Sequence, residues 1–398
     1  MQMKLLEQLS IMNTPAYIFD TGKFKKRISE VREQLDRNSN AKLCYAMKAN
    51  PFLVRIAIPY VDKVEVCSPG EMSICKSVQV PAEKIVLSGV NKEYPDVKEA
   101  MRYGVQVYTA ESQKHLSIIQ QCAAEENRNV KVLIRLSSGN QFGVDLAMVK
   151  EMIEKRDEFP NLKISGIHYY SGTQKKAERI VQELENLNKI YKELETTYEV
   201  ELENLEYGPG LPVDYFGKGV QGDEILETCT KSLALIDEKI EITIELGRYL
   251  TAECGNYLTK VVDVKYTNEK EYVIVDGGIH HVNYYGQVMG VRIPPVRYFK
   301  KMDKDYTEVK LGDKKSFKNP ACICGSLCTT ADVLVGEVPI KDVREGDMLL
   351  FEQIGAYSVT EGIYLFLSRK LPKIFLLEND ELRLVRDSYE TYKWNCEQ

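Results

Sequence analysis

Histidine is nearly absent from this chain, with 4 copies in 398 residues. A His-rich metal centre is therefore not expected. Blocks of one charge sign are missing too. The 53 lysines and arginines are interspersed with 59 aspartates and glutamates, for a net charge of −6. That pattern excludes the basic footprint of a nucleic-acid binder and the cationic patch of a membrane-surface protein. No apolar run approaches the length of a bilayer span. The stretch Met1–Asn13 lacks the charged start, long apolar core and small-residue cleavage site of a secretory signal. There is no repeat, low-complexity run or disordered linker. What remains, at 44% hydrophobic and 28% charged residues, is an ordinary soluble composition, long enough for one large and one smaller domain.

The ten cysteines run from Cys44 to Cys396 and mostly lie inside apolar runs such as Leu43-Cys44-Tyr45. Cysteine used this way, as a small buried hydrophobe, suits the reducing cytoplasm. Cys322-x-Cys324-x3-Cys328 invites a zinc reading, but it has no second cysteine pair and no nearby histidine. No metal is expected.

Short β-branched runs alternate with helical stretches. Leu43–Lys48, Val64–Ser68, Ile85–Gly89, Val105–Thr109, Val132–Leu136, Ile164–Tyr170, Leu202–Tyr207 and Ile242–Gly247 read as buried strands. The clearest helix is Ala177–Thr197, with Ile180, Leu184, Leu187, Tyr191 and Leu194 along one face. Eight such alternations over residues 21–250 predict a (β/α)8 barrel. Past Gly255 the long helices stop. Tyr257–Lys265, Tyr272–Val275, Met348–Glu352 and Ile374–Leu377 read as strands joined by turns such as Glu345-Gly346-Asp347. Residues 251–398 are thus expected to form a mainly β domain, which residues 1–20 join.

A barrel places its chemistry at the carboxyl ends of its strands. Lys48, Glu65–Glu71, His168–Gln174, Gly208–Gly210 and Glu245–Arg248 all fall there. Taken singly, each has a plainer reading. Lys48 reads first as a solvated surface lysine and only second as one committed covalently. Gly208-Pro209-Gly210 suits close approach of backbone amides to a phosphate, yet many turns contain two glycines. Glu245 and Arg248 fit a surface ion pair as well as an anion site.

In order along the chain stand Tyr-Ala-Met-Lys-Ala-Asn (45–50), Glu-Val-Cys-Ser-Pro-Gly-Glu (65–71), Gly-Ile-His-Tyr-Tyr-Ser-Gly-Thr-Gln (166–174) and Gly-Pro-Gly (208–210). Glu-Leu-Gly-Arg (245–248), Asp-Gly-Gly (276–278), Cys-Thr-Thr-Ala-Asp (328–332) and Gly-Ala-Tyr (355–357) follow. From Thr14 to Leu367 this resembles the fold-type III pyridoxal-phosphate decarboxylases, the family of ornithine, arginine and diaminopimelate decarboxylases. The resemblance implies an alanine racemase-like fold and pyridoxal 5'-phosphate as cofactor. It implies that Lys48 holds the cofactor covalently and that Glu245 pairs with the ring nitrogen. Gly210, Arg248, Thr173 and Tyr357 would bind the phosphate, with Glu65, Gly208 and Gly247 completing the cofactor site. Cys328 would reach from the other subunit of a head-to-tail homodimer and protonate the α-carbon once carbon dioxide has left. Asp276 would line the substrate pocket, with His280, Thr329 and Asp332.

Three departures from the family pattern bear on substrate and cofactor. Tyr170 stands where most members place a histidine over the cofactor ring, and His168 lies two residues earlier. Glu-Leu-Gly-Arg replaces Glu-Pro-Gly-Arg and keeps both charges. Thr329 stands where enzymes that hold a distal substrate amine usually place an acid. The last departure argues against free ornithine, lysine or diaminopimelate, although Asp276 or Asp332 would be able to replace the missing charge. Gly-Ile-His-x-Tyr-x-Gly-Thr-Gln, Asp-Gly-Gly-x-His-His and Leu-Cys-Thr resemble a branch that decarboxylates glutamate tethered to an acyl carrier protein in antibiotic biosynthesis. On that resemblance the substrate is an amino acid with a neutral or carrier-tethered distal end. His280-His281 then reads either as a contact for the tether or as a solvent-facing loop pair. Three other readings stay open: a basic amino-acid decarboxylase, a racemase and a non-catalytic cofactor carrier. A racemase, however, favours an arginine at the ring nitrogen rather than Glu245, and the carrier reading sits poorly with intact Lys48 and Cys328.

Overall fold

The computed structural model describes residues 12–287, 290–303, 305–312 and 320–397. Residues 1–11 of the amino-terminal segment discussed above lie outside them. The chain divides into two compact units. One comprises Lys25–Val213 with Val220–Leu250; the other comprises the chain up to Phe24, Asp214–Gly219, and Thr251 onward.

Strand β1 (Ala16–Asp20) belongs to the second unit, and the first is built on the next eight strands. These are β2 (Lys42–Ala46), β3 (Lys63–Val66), β4 (Ile85–Leu87), β5 (Val107–Ala110), β6 (Val130–Leu136), β7 (Leu162–Tyr170), β8 (Asn204–Gly208) and β9 (Glu241–Leu246). They form a closed barrel, all parallel, with β9 returning to β2 through Cys44↔Glu245 and Tyr45↔Leu246. Each strand read from the sequence is present, with ends displaced by no more than two residues. Parallel strands buried on both faces read as near-continuous apolar runs, which is why they were legible.

The helix Ala177–Tyr198 buries the predicted stripe of Ile180, Leu184, Leu187, Tyr191 and Leu194, and with it Glu183. Burying that carboxylate would be costly without partners. It has four: Lys175 at 2.7 Å, Tyr207 at 2.8 Å, Arg179 at 2.9 Å and the Ser171 hydroxyl.

Among the described residues, the second unit carries one ten-stranded sheet. Its strands after β1 are β10 (Gly255–Thr267), β11 (Lys270–Val275), β12 (Val296–Lys301), β13 (Tyr306–Val309), β14 (Ala321–Cys324), β15 (Val333–Val338), β16 (Met348–Phe351), β17 (Lys373–Glu378) and β18 (Glu381–Arg386). The path β13-β12-β16-β10-β1-β17-β18 carries a branch from β10 through β11 and β14 to β15. β1 pairs antiparallel with β10 and parallel with β17. Leu258, Phe299, Met348 and Leu350 form a core cluster. At the expected turn, Gly346 takes a φ of +90°, a conformation that favours glycine. Among the described residues, no helix is long and apolar enough to cross a membrane.

Candidate active site

Lys48 does not end a strand, as its sequence setting suggests. β2 stops at Ala46, and Met47–Ala49 form a 3-10 turn. The turn is fixed from both sides. The Met47 carbonyl accepts from the Asn50 amide at 3.0 Å, and the Tyr45 hydroxyl donates to the Asn50 carbonyl at 2.6 Å. The Asn50 side chain then caps the next turn by accepting from Phe52 N at 3.2 Å. Opposite, a Cβ on Gly247 would lie 3.0 Å from Ala49 Cβ and 3.1 Å from the Ala46 carbonyl. Glycine is what lets the β9 end pack onto the lysine turn.

The turn sets the Lys48 ammonium into a buried acidic cluster. Its Nζ lies 2.6 Å from Glu65 Oε2, 3.4 Å from Glu245 Oε1 and 3.7 Å from Cys67 Sγ. Glu245 Oε2 meets His168 Nε2 at 3.0 Å, and His168 is 1% exposed. Burial pushes the Glu245 carboxyl upward, but the Lys48 charge and the His168 contact outweigh it and leave it well below the usual range. Glu65 moves the other way, raised by burial and by the Glu245 charge. Glu245 thus carries a fixed negative charge while Glu65 retains a proton more readily. Ligand atoms of Glu65, His168 and Glu245 lie within 4.8 Å of one another, a spacing that would also suit a cation. Lys48 already supplies the positive charge there.

Cys67 and Glu206 complete the cluster, and neither was singled out from the sequence. Cys67 Sγ lies 3.2 Å from Glu65 Oε1. Its backbone is held by the helix that follows: Ser68 Oγ accepts from Glu71 N at 3.1 Å, and Glu71 Oε2 accepts from Cys67 N at 2.7 Å. The Ser-x-x-Glu spacing at 68–71 is the signal that could have found this capping arrangement. Glu206, on β8, is 2% exposed, and its Oε1 has no partner among the described residues. Burial and the charges of Glu245 and Glu65 push its carboxyl well upward, towards the neutral form. An acid inside the apolar run Leu205-Glu206-Tyr207 is the clue that went unread.

Beside this cluster the chain forms a glycine cradle. Gly210 has φ +62°, and a Cβ there would fall 2.0 Å from the Gly172 carbonyl and 3.0 Å from Thr173 Cα. A Cβ on Gly208 would meet the Tyr170 ring at 2.6 Å. Gln174 ties the two loops by donating to Val213 O at 3.0 Å and accepting from Val213 N at 2.6 Å. From behind, Lys175 donates to the Gly208 carbonyl at 3.2 Å and to Glu183 at 2.7 Å. Arg248 opens the short helix Arg248–Thr251, directly after Gly247. Gly210→Ala is expected to cost at least about 1–2 kcal/mol from the left-handed backbone alone, and the clash with Gly172 should open the cradle. Denaturant unfolding and cofactor titration of the variant test this. Unchanged stability together with unchanged affinity would remove the cradle from the cofactor site.

The remaining sequence candidates lie in the second unit. Cys328 and Thr329 are exposed at the tip of a loop that is pinned from below. Asp332 Oδ1 accepts from Ile279 N at 2.8 Å and Oδ2 from Leu327 N at 2.7 Å, and the residue is 3% exposed. Asp276 is equally committed: Oδ1 accepts from Thr259 Oγ1 at 2.7 Å and Lys260 N at 3.0 Å, and Oδ2 from Thr14 Oγ1 at 2.5 Å. Both carboxylates accept hydrogen bonds from within their own unit, which weighs against either replacing the acid missing at Thr329. The solvent-facing reading of His280-His281 also fails. The two ring centroids lie 3.7 Å apart with the planes tilted by 41°, the residues are 1% and 2% exposed, and His281 Nδ1 meets the Tyr257 hydroxyl at 2.8 Å. Burial lowers His280 to about 4 and holds His281 well below its ordinary value, which favours neutral imidazoles. Tyr357 holds a φ of +67°. Its carbonyl accepts from Thr360 N at 2.8 Å and Glu361 N at 2.9 Å, which offsets strain of about 1–3 kcal/mol.

Residues 21–252 match the family described as pyridoxal-dependent decarboxylase, pyridoxal binding domain. The chain belongs to the pyridoxal-dependent decarboxylases. Its relatives include L-glutamyl-[BtrI acyl-carrier protein] decarboxylase of Niallia circulans, 25% identical over 94% of this chain and 91% of the relative. Another is 2-[(L-alanin-3-ylcarbamoyl)methyl]-2-hydroxybutanedioate decarboxylase of Staphylococcus aureus, 26% identical over 95% of this chain and 98% of the relative. In fold the chain is similar to diaminopimelate decarboxylase of M. jannaschii, solved with L-lysine, with a TM-score of 0.84, 21% identity, and coverage of 97% and 92%.

The cofactor of this decarboxylase family is pyridoxal phosphate, and the barrel unit fits it on three counts. An amine stands among buried carboxylates. Beside it lies a backbone cradle in which no Cβ has room at Gly210. His168 Nδ1, buried and without a partner among the described residues, retains hydrogen-bonding capacity within the site.

Proposed function

We propose that this decarboxylase removes the α-carboxylate of an L-amino acid, or an amino-acid derivative, whose distal end is neutral or tethered to a carrier protein. The observation that carries the substrate reading lies in the Cys328 loop. From Gly325 to Asp332 the one acid is Asp332, and both its oxygens are taken by backbone amides. A distal ammonium brought against this loop loses hydration worth several kcal/mol and gains no counter-charge. An amide or thioester brings no such cost. The reading also has support among the relatives, one of which acts on a carrier-borne glutamyl group and another on an amide-linked substrate.

In this proposal Lys48 would hold the cofactor covalently, Glu245 would pair with the ring nitrogen, and Tyr170 would take the place of the usual histidine. Glu65, Thr173, Gly208, Gly210, Gly247, Arg248 and Tyr357 complete the site. Bound pyridoxal phosphate supplies the electron sink for the pair left on the α-carbon when carbon dioxide departs. Cys328 returns the proton and acts in the barrel of a partner subunit in a homodimer, with Thr329 facing the substrate's distal end. Asp276, Asp332 and His280 act behind the loop rather than on the substrate. The setting is cytoplasmic specialised metabolism of the antibiotic-biosynthesis kind.

The deciding experiment is carbon dioxide release from a panel comprising ornithine, lysine, diaminopimelate, glutamate and a glutamyl thioester or amide. The free diamino acids should be poor substrates. Thr329→Asp should move preference towards them by about 1.5–3 kcal/mol, roughly ten- to a hundredfold in relative kcat/KM, the value of a hydrogen bond to a charged group. Efficient turnover of any free diamino acid by the unmodified enzyme rules the substrate reading out.

A further inference from the structure

Cys322 and Cys324 lie two residues apart on β14, and their sulfurs approach to 3.6 Å. Residues i and i+2 of a strand share a face, and Ile323 between them is 1% exposed, packed on the opposite one. Two buried cysteines in a core would be the plain reading, but Cys324 is only half-buried and the strand here is irregular. β14 keeps a regular parallel register with β11, at Cys322↔Tyr272 and Cys324↔Ile274. Against β15 its register shifts on both sides of Ile323. In a regular strand, alternate Cα atoms are roughly 6.4–6.8 Å apart, the upper edge of what a disulfide spans. The irregular edge with β15 is what lets the thiols lean together.

The pair is also chemically biased. The hydrogen bond from Cys324 lowers the Cys322 thiol to about 7 and raises that of Cys324. Near neutral pH one sulfur of the two is thus available as a thiolate, next to a thiol that can follow it.

We propose that Cys322 and Cys324 close a reversible disulfide that resets the Cys328 loop. The oxidant is a low-molecular-weight disulfide. The thiolate of the pair attacks one of its sulfurs, forming a mixed disulfide and expelling one thiolate. The second cysteine loses its proton and attacks the protein-bound sulfur, expelling the other thiolate. Two protein thiols and one small disulfide become one protein disulfide and two small thiols, so hydrogens and electrons balance. A bond spanning two residues of a strand is strained, and strained disulfides reduce readily, which suits a switch rather than a staple.

The link to the loop is steric. Cys324 is followed by Gly325, where a Cβ would fall 2.3 Å from both Asp332 oxygens and 2.4 Å from Gly278 Cα. Gly325 N donates to Asp332 O at 3.0 Å and Ser326 N to Gly277 O at 2.7 Å. With Gly325 enclosed and the Gly325 and Ser326 amides both bonded, a displacement of Cys324 that brings the sulfurs from 3.6 Å to bonding distance strains these clamps, and that strain reaches Leu327 and Cys328. The effect on catalysis rests on the reading of Cys328 as the proton donor. The disulfide itself does not.

The full-length holoenzyme is equilibrated in glutathione buffers of graded oxidation, quenched in acid, alkylated, digested and analysed by mass. The peptide carrying Cys322 and Cys324 should lose two hydrogens and resist alkylation in oxidising buffer. Cys322→Ser and Cys324→Ser should each hold a mixed disulfide instead. A bridge between Cys324 and Cys328, or two thiols still open to alkylation in the most oxidising buffer, overturns the proposal. Loop coupling is read from the alkylation rate of Cys328, which should differ about threefold or more between the two redox states and lose that dependence in Cys322→Ser. Equal rates overturn the coupling. If Cys328 reactivity changes while decarboxylation does not, the disulfide stands and the reading of Cys328 as the acid falls.

Discussion

Lys48→Ala is expected to abolish the covalently held cofactor and to reduce decarboxylation by at least about 10²–10⁴-fold, the contribution of a positioned group in the reaction. The lysine sits on a turn held by Tyr45, Asn50 and Gly247, so truncating it leaves the turn in place. What goes is the amine 2.6 Å from Glu65 and 3.4 Å from Glu245. The variant should bind the cofactor weakly, show none of its bound visible absorbance, and yield no cofactor-modified peptide after borohydride reduction. A borohydride-fixed cofactor on Lys48→Ala would place the covalent link on another lysine, and buried Lys92 would be the first to examine. The same variant tests the dimer. Mixed with inactive Cys328→Ala after dissociation and reassociation, it should recover about a quarter of the wild-type sites by random pairing. Mixtures that stay dead while wild-type controls recover would mean that each subunit uses its own cysteine or none.

The barrel was legible because its strands are apolar on both faces, and the lysine and glycine motifs because each lies at or just past the end of a strand. What stayed hidden has physical causes. β13 is mostly exposed, with only Tyr306 half-buried, and β18 is half solvated along its length, so neither carries an apolar run. Lys48 looked strand-bound because Ala46 and Met47 are as apolar as the strand, and the Asn50 contacts that end it are not a hydrophobic signal. Cys67 follows β3 and Glu206 lies on β8, and only the closed ring decides that Cys67 meets Lys48 and that Glu206 feels the Glu245 charge. His280 and His281 read as a polar loop pair because the sequence does not display the Tyr17 and Tyr257 rings packed near them. Tyr17 also donates to the His281 carbonyl at 2.6 Å. Asp276 and Asp332 carried a charge that the sequence made available to substrate. Their hydrogen bonds, to residues up to 262 positions away, engage both carboxylates within the second unit, which the sequence does not display.

Glu245→Gln is expected to leave the cofactor bound and the fold intact while lowering kcat by roughly 10²–10³-fold, as when one preorganised electrostatic contact is removed. Glutamine keeps the shape of the side chain and its reach to His168 Nε2, which lies 3.0 Å from Glu245 Oε2. It cannot carry the negative charge that the Lys48 ammonium and His168 sustain against burial. That charge is what a ring nitrogen needs opposite it to remain protonated and to withdraw electrons at full strength. Glu65 does not take over, since burial raises its carboxyl and its nearer contact is with Lys48. The loss should appear in kcat with KM little changed, because the charge matters most when electrons move onto the ring. Cofactor absorbance and the thermal midpoint separate this from misfolding. Both should stay near wild type, and a variant that keeps cofactor, stability and normal turnover would remove Glu245 from the ring nitrogen and reopen the racemase-like arrangement.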